Sequence, residues 1–115
     1  MAALKIMIVE DEIIVAKDIQ RILKKLGYEA FDPFANGKKA LDAVEKLNPD
    51  IILLDINLKS SEIDGIQVGE QIHQTYQIPF IYLTAFSDKT TLERAKLTEP
   101  YGYIIKPFEE DDIRT

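Results

Sequence analysis

A chain of 115 residues is long enough for one compact domain and too short for two separate cores. Apolar residues make up 46% of it, which excludes a disordered chain, yet runs such as Ile51 to Leu54 are far too short to span a bilayer. A net charge of −6, with no basic cluster denser than Lys24-Lys25 and Lys38-Lys39, argues against a face that binds nucleic acid.

Strand and helix patterns alternate along the whole chain, and one domain over residues 1–115 is expected. Leu4 to Val9 is apolar and β-branched, as a buried strand requires. From Ile13 to Leu26 the period changes: Val15/Ala16, Ile19, Ile22/Leu23 and Leu26 recur at helical spacing, with Gly27 as a stop. Tyr28 to Phe34 reads as a second strand, ended by Pro33 and an Asn36-Gly37 turn. Lys38 to Leu47 is helical, and Asn48-Pro49 terminates it. Ile51 to Leu54 is a third strand, apolar at every position. A loop from Asn57 to Asp64 leads to a helix from Gly65 to about Tyr76. Pro79 to Leu83 is a fourth strand, Asp88 to Leu97 a fourth helix with Ser87 as N-cap, and Tyr101 to Ile105 a fifth strand. Helix-forming acidic residues begin at Glu109, and the last helix is expected to be cut short at Thr115.

Strands without polar alternation are buried on both faces, so helices must cover both sides of the sheet. Repeated β-α units with right-handed crossovers then give an α/β fold with a doubly wound parallel sheet. In such folds the working site lies beyond the C-terminal ends of the strands. Strand one ends in Glu10-Asp11-Glu12, strand three in Asp55, strand four in Thr84-Ala85 and strand five in Lys106-Pro107. Carboxylates so grouped repel one another, and a divalent cation removes the conflict. Mg²⁺ suits a site of one or two carboxylates plus a phosphate. A carboxylate can itself attack phosphorus, with Lys106 and the Thr84 hydroxyl stabilising the charge that develops.

Each residue also has a plainer reading. Asp11 could cap the first helix, Thr84 could be a turn residue and Lys106 a solvated charge. The plain readings do not require complementary groups at four strand ends. Tyr103 could be simple strand packing. His73, the sole histidine, lies in the third helix, far from the strand ends, and reads as a structural or surface residue.

The stretches Ile8-Val9-Glu10-Asp11-Glu12, Leu53-Leu54-Asp55-Ile56-Asn57, Asp64-Gly65, Leu83-Thr84-Ala85 and Tyr103-Ile104-Ile105-Lys106-Pro107-Phe108 occur in this order. Together they resemble the receiver domain of two-component response regulators, over nearly the whole length. The resemblance implies a flavodoxin-like (βα)5 fold with strand order 2-1-3-4-5. It implies Asp55 as phosphoacceptor, and Mg²⁺ held by Glu10, Asp11, Asp55 and the backbone carbonyl of Asn57. Thr84 matches the switch hydroxyl, Tyr103 the switch aromatic and Lys106 the phosphate-contacting lysine, with a cis Lys106-Pro107 bond. It implies a histidine kinase or phosphotransfer domain as donor and a downstream output domain or protein as target. The face formed by the fourth helix, fifth strand and fifth helix would change, and it is a candidate surface for a homodimer.

Two departures stand out. The loop Asn57 to Ile63 is longer than the family pattern and lacks its proline; it reads as a neutral surface insertion for the mechanism, and it resembles loops of receivers in multi-domain sensor proteins. Phe86 lies two residues beyond Thr84, where bulk is expected to slow the loss of phosphate. A phosphohydrolase of the haloacid-dehalogenase type is the enzyme alternative, but it needs a second acid two residues after the nucleophile, where Asn57 stands. A receiver that only docks, without phosphorylation, is the other. The absence of cysteine and of a secretory pattern at Met1 to Ile6 fits a cytoplasmic protein with no membrane partner.

Overall fold

The computed structural model describes residues 4–56, 58, 63–84, 89–98 and 100–105, with the backbone alone at 84, 89–92, 104 and 105. Among the described residues strands and helices alternate: β1 (Lys5–Val9), α1 (Ile13–Lys25), β2 (Glu29–Ala30), α2 (Gly37–Leu47), β3 (Ile51–Asp55), α3 (Gly65–Thr75), β4 (Phe80–Thr84), α4 (Lys89–Lys96) and β5 (Gly102–Ile105). The strands form one sheet in the order β2-β1-β3-β4-β5, and every pairing is parallel. The Ser87 cap and the helix from Glu109 lie outside the described residues.

Alternation along the strands divides the core in two. Met7, Val9, Ile52, Leu54, Phe80 and Tyr82 pack with residues of α2, α3 and α4 on one face. Ile6, Ile8, Leu53 and Leu83 pack on the other, against Ile19 and Leu23 of α1. This is the double covering that strands without polar alternation require. No helix among the described residues is long and apolar enough to cross a membrane.

Local signals fix the helix ends. Gly27 takes a φ of 96°, and its N–H and that of Tyr28 bond back to the Lys24 and Leu23 carbonyls, a Schellman closure of α1. Asn36, expected in a turn, is the N-cap of α2 and accepts from the N–H groups of Lys38 and Lys39. Asp64 caps α3 in a reciprocal capping box with Gln67.

One strand is shorter than its sequence predicts. The stretch Tyr28 to Phe34 forms ladder pairs only at Glu29 and Ala30, with a separate bridge from Phe34 to Val9. Lys5 faces Glu29 and Ile6 faces Ala30, whereas Val9 faces Phe34, so the edge strand carries one residue more than β1 between these points. Pro33, which has no N–H to give, sits within that bulge. The Gln20 side chain, buried on α1, fills the gap: its amide lies 3.4 Å from the Ala30 carbonyl, 3.3 Å from that of Phe31 and 3.2 Å from Asp32 Oδ1.

Candidate functional site

The sheet order places β1 beside β3, with β2 outside one and β4 outside the other. Successive connections from β1 and β3 therefore leave in opposite directions, and a crevice opens above the β1/β3 junction. The register sets Val9 beside Leu54, so the next residues along these strands, Glu10 and Asp55, end up at the floor of that crevice.

Both are buried, Glu10 at 1% and Asp55 at 4% exposure, whereas the other charged residues among those described are not. Backbone bonds hold them. The Glu10 N–H donates to the Phe34 carbonyl at 2.9 Å, and Asp55 is paired to Leu83 in the ladder with β4. Carboxylate oxygens of Glu10, Asp11 and Asp55 lie within 4.8 Å of one another. Oxygens facing each other across an octahedral Mg²⁺ would be ~4.2 Å apart, given metal–oxygen distances of about 2.1 Å. An all-oxygen, hard-donor set of this spread fits such a cation with small side-chain adjustment. Asp11 also does not occupy the helix-cap position: the N-cap of α1 is Glu12, whose side chain makes no cap hydrogen bond.

Behind Asp55 stands Gly65. A β-carbon on Gly65 would collide with the Asp55 carbonyl oxygen, and would lie 2.7 Å from both the Asp55 carbonyl carbon and Ile56 Cα. The Gly65 N–H donates to the Ile56 carbonyl at 2.9 Å. The absence of a side chain thus lets α3 start directly against the chain that carries Asp55. The sequence marked Asp64-Gly65 as a motif, but not as this close approach.

The other predicted site residues are placed less fully. Thr84 ends β4, paired in the backbone to Ile105 of β5. Asn57, Phe86, Lys106 and Pro107 lie outside the described residues. Tyr103 faces Tyr82 across the β4/β5 ladder, is 40% exposed, and has its ring centroid 6.0 Å from that of Tyr82. His73 sits on α3 beside Gln77 and Pro79, at the end of the sheet remote from the carboxylates.

An all-parallel sheet of this order, with an acidic crevice at its switch point, defines the class, and comparison with known proteins agrees. The family model for the response regulator receiver domain matches residues 6–115, and the chain belongs to that family, the receiver domains of two-component phosphorelay systems. It is 31% identical over 109 residues to the transcriptional regulatory protein PdtaR of Mycobacterium tuberculosis, covering 95% of this chain and 52% of PdtaR. The chain therefore spans about half the length of that relative. It is 32% identical over 111 residues to sporulation initiation phosphotransferase F of Bacillus subtilis, covering 96% of this chain and 87% of the relative. Among solved structures, the signal receiver domain of a modulated diguanylate cyclase from Desulfovibrio desulfuricans superposes with a TM-score of 0.91 at 33% identity, over 97% of this chain and 88% of that one.

Proposed function

We propose that the chain is a phosphoacceptor in a two-component relay and that Asp55 takes the phosphoryl group. The observation that carries this reading is the convergence of Glu10, Asp11 and Asp55 oxygens within 4.8 Å at the β1/β3 crevice. In this reading a carboxylate oxygen of Asp55 attacks phosphorus, the bond from phosphorus to an imidazole nitrogen of the donor breaks, and the imidazole leaves with the electron pair. Mg²⁺, when bound, would offset the negative charge shared by the carboxylates and the phosphoryl oxygens. Glu10, Asp11, Asp55 and the Asn57 carbonyl would hold it. The close approach of Gly65 to the Asp55 backbone would hold that stretch of chain in place, and the burial of Asp55 would limit water around the acyl phosphate.

Thr84 and Lys106 would bind phosphoryl oxygens from the ends of β4 and β5, and Tyr103 would turn inward as Thr84 moves. Phosphorylation then shifts the population between two packings of the α4–β5 side, because the phosphate makes contacts in one of them alone. The donor is a histidine kinase or a phosphotransfer domain. Ile13 and Ile14, 63% and 82% exposed at the start of α1 beside the acidic crevice, offer such a donor an apolar rim to cover. The output, carried by a further domain or a separate protein, would read the altered α4–β5 face.

The test is incubation with acetyl phosphate and Mg²⁺, followed by intact mass of the wild type and Asp55→Ala. One added phosphoryl group, absent in the variant and on chelation of the metal, is the expected result. Steady turnover of many phosphoesters would instead indicate a phosphohydrolase, and no adduct a docking module.

A further inference from the structure

Helix α4 spans Lys89–Lys96 among the described residues, and packing must hold a helix of this kind in place. Among its described side chains Glu93, Arg94 and Lys96 are exposed, and Ala95 alone is buried. The ion pair of Arg94 with Asp64, at 3.3 Å, is half exposed and contributes little. A stronger attachment lies at the C-terminal end. Thr98, 5% exposed, donates its hydroxyl proton to the Ala95 carbonyl at 2.6 Å, and its oxygen lies 2.6 Å from the hydroxyl of the fully buried Tyr82.

The donor order follows from counting protons. Thr98 has one hydroxyl proton and uses it on Ala95, so Tyr82 donates and Thr98 accepts. The result is a directed chain from β4 through Thr98 to a terminal carbonyl of α4. Burial, the largest influence, pushes the Tyr82 phenol up to about 12, which keeps the donor proton in place at neutral pH. Gly69 of α3 makes room for it: a β-carbon there would collide with the Tyr82 hydroxyl and lie 3.0 Å from Phe80 Cε2. Two helices and a strand are thus arranged around one hydroxyl.

Tyr82 is also the neighbour of Tyr103, ring against ring at 6.0 Å and paired in the ladder. The buried wall that an inward-turning Tyr103 would meet includes the Tyr82 ring.

Resting on the phosphoacceptor reading above, we infer that Tyr82 is a positioning residue whose hydroxyl latches the C-terminal end of α4 to β4 and so favours the resting packing over the phosphorylated one. Burial of Tyr103 requires the wall to yield, and a close-packed wall moves between discrete arrangements. The Tyr82–Thr98 bond is made in the resting arrangement and weakened when α4 shifts. Removing it raises the fraction of molecules already in the phosphorylation-competent packing, and the reactivity of Asp55 rises with that fraction.

The experiment measures the rate of phosphorylation from acetyl phosphate and Mg²⁺ in the wild type, Tyr82→Phe, Thr98→Val and the double variant. Each single variant is expected to react roughly fivefold faster, the factor that one net hydrogen bond corresponds to, with no further gain in the double variant. In amide NMR spectra of unphosphorylated Tyr82→Phe, the signals of Ala95, Thr98 and Tyr103 should move along the line joining the wild type's unphosphorylated and phosphorylated positions. Unchanged or slower reaction, or amide shifts off that line, overturns the latch. If Tyr82→Phe fails to fold, Thr98→Val, which keeps the tyrosine ring, carries the same outcomes. A wild type that takes no phosphoryl group overturns the acceptor reading and the latch with it, whereas a phosphorylated wild type with unaltered variants overturns the latch alone.

Discussion

The β1/β3 crevice and the α4–β5 side lie on one sheet but are built by opposite means. At the crevice, buried carboxylates are fixed by backbone: ladder pairs, the Glu10 N–H bond to Phe34, and the close approach of Gly65 to Asp55. On the α4–β5 side the described attachments of α4 are Ala95, an exposed ion pair and one directed hydroxyl chain, beside a half-exposed tyrosine. Attack on phosphorus needs fixed geometry, because small misplacements are costly. A signal needs an element whose equilibrium a single new charge can bias. Rigidity and softness thus fall on different strands of the same sheet.

This contrast can be broken at the rigid end first. Gly65→Ala should have the largest effect, because the new methyl meets backbone and neither side can yield by a rotamer change. A loss of about 2 kcal/mol or more in urea unfolding is expected, with phosphorylation by acetyl phosphate falling at least tenfold. Wild-type stability and reactivity in this variant would show that Asp55 is not held as described.

Asp11→Asn sharpens the electrostatic half of the comparison. Removing one of three neighbouring carboxylates should weaken Mg²⁺ binding, measured by calorimetric titration, by about tenfold. A variant that binds Mg²⁺ normally would remove Asp11 from the site.

The smallest effect belongs to the soft end and to high pH. Tyr82 titrates near 10 when unfolded and about 12 in the fold, so the folded state holds its proton longer. Its contribution to stability is complete below pH 10 and declines as pH rises toward about 12. Tyr82→Phe should therefore show a shallower loss of thermal stability across that interval than the wild type. Equal slopes would mean that the phenol is not buried as described.

Much of this was legible in the residues themselves. Ile51 to Leu54, apolar at every position, gave away a strand covered on both faces, and the residues after each strand named the acidic crevice. The end of α1 was marked by Gly27. Other features were hidden for physical reasons. The run from Tyr28 to Phe34 carries three aromatic residues, as a full strand would, and Pro33 is the hint that the edge bulges. Asp64 and Gln67 carry the spacing of a capping box, which marks the start of α3. Tyr82 stands within an apolar strand, where its hydroxyl is invisible to any pattern. Its partner Thr98 is sixteen residues away, and only the packing of α4 on β4 joins them. Close approach behind Gly65 is likewise a property of the assembled fold, since a glycine after an aspartate reads first as a helix start.

The central claim, that Asp55 is the residue that carries the phosphoryl group, is tested most directly by mapping the modified atom. After treatment with acetyl phosphate and Mg²⁺, borohydride reduces an acyl phosphate to the corresponding alcohol, which turns a phosphorylated aspartate into homoserine. Peptide sequencing by mass spectrometry should find homoserine at position 55 and leave Glu10 and Asp11 unchanged. Reduction at another carboxylate, or at none, would contradict the assignment.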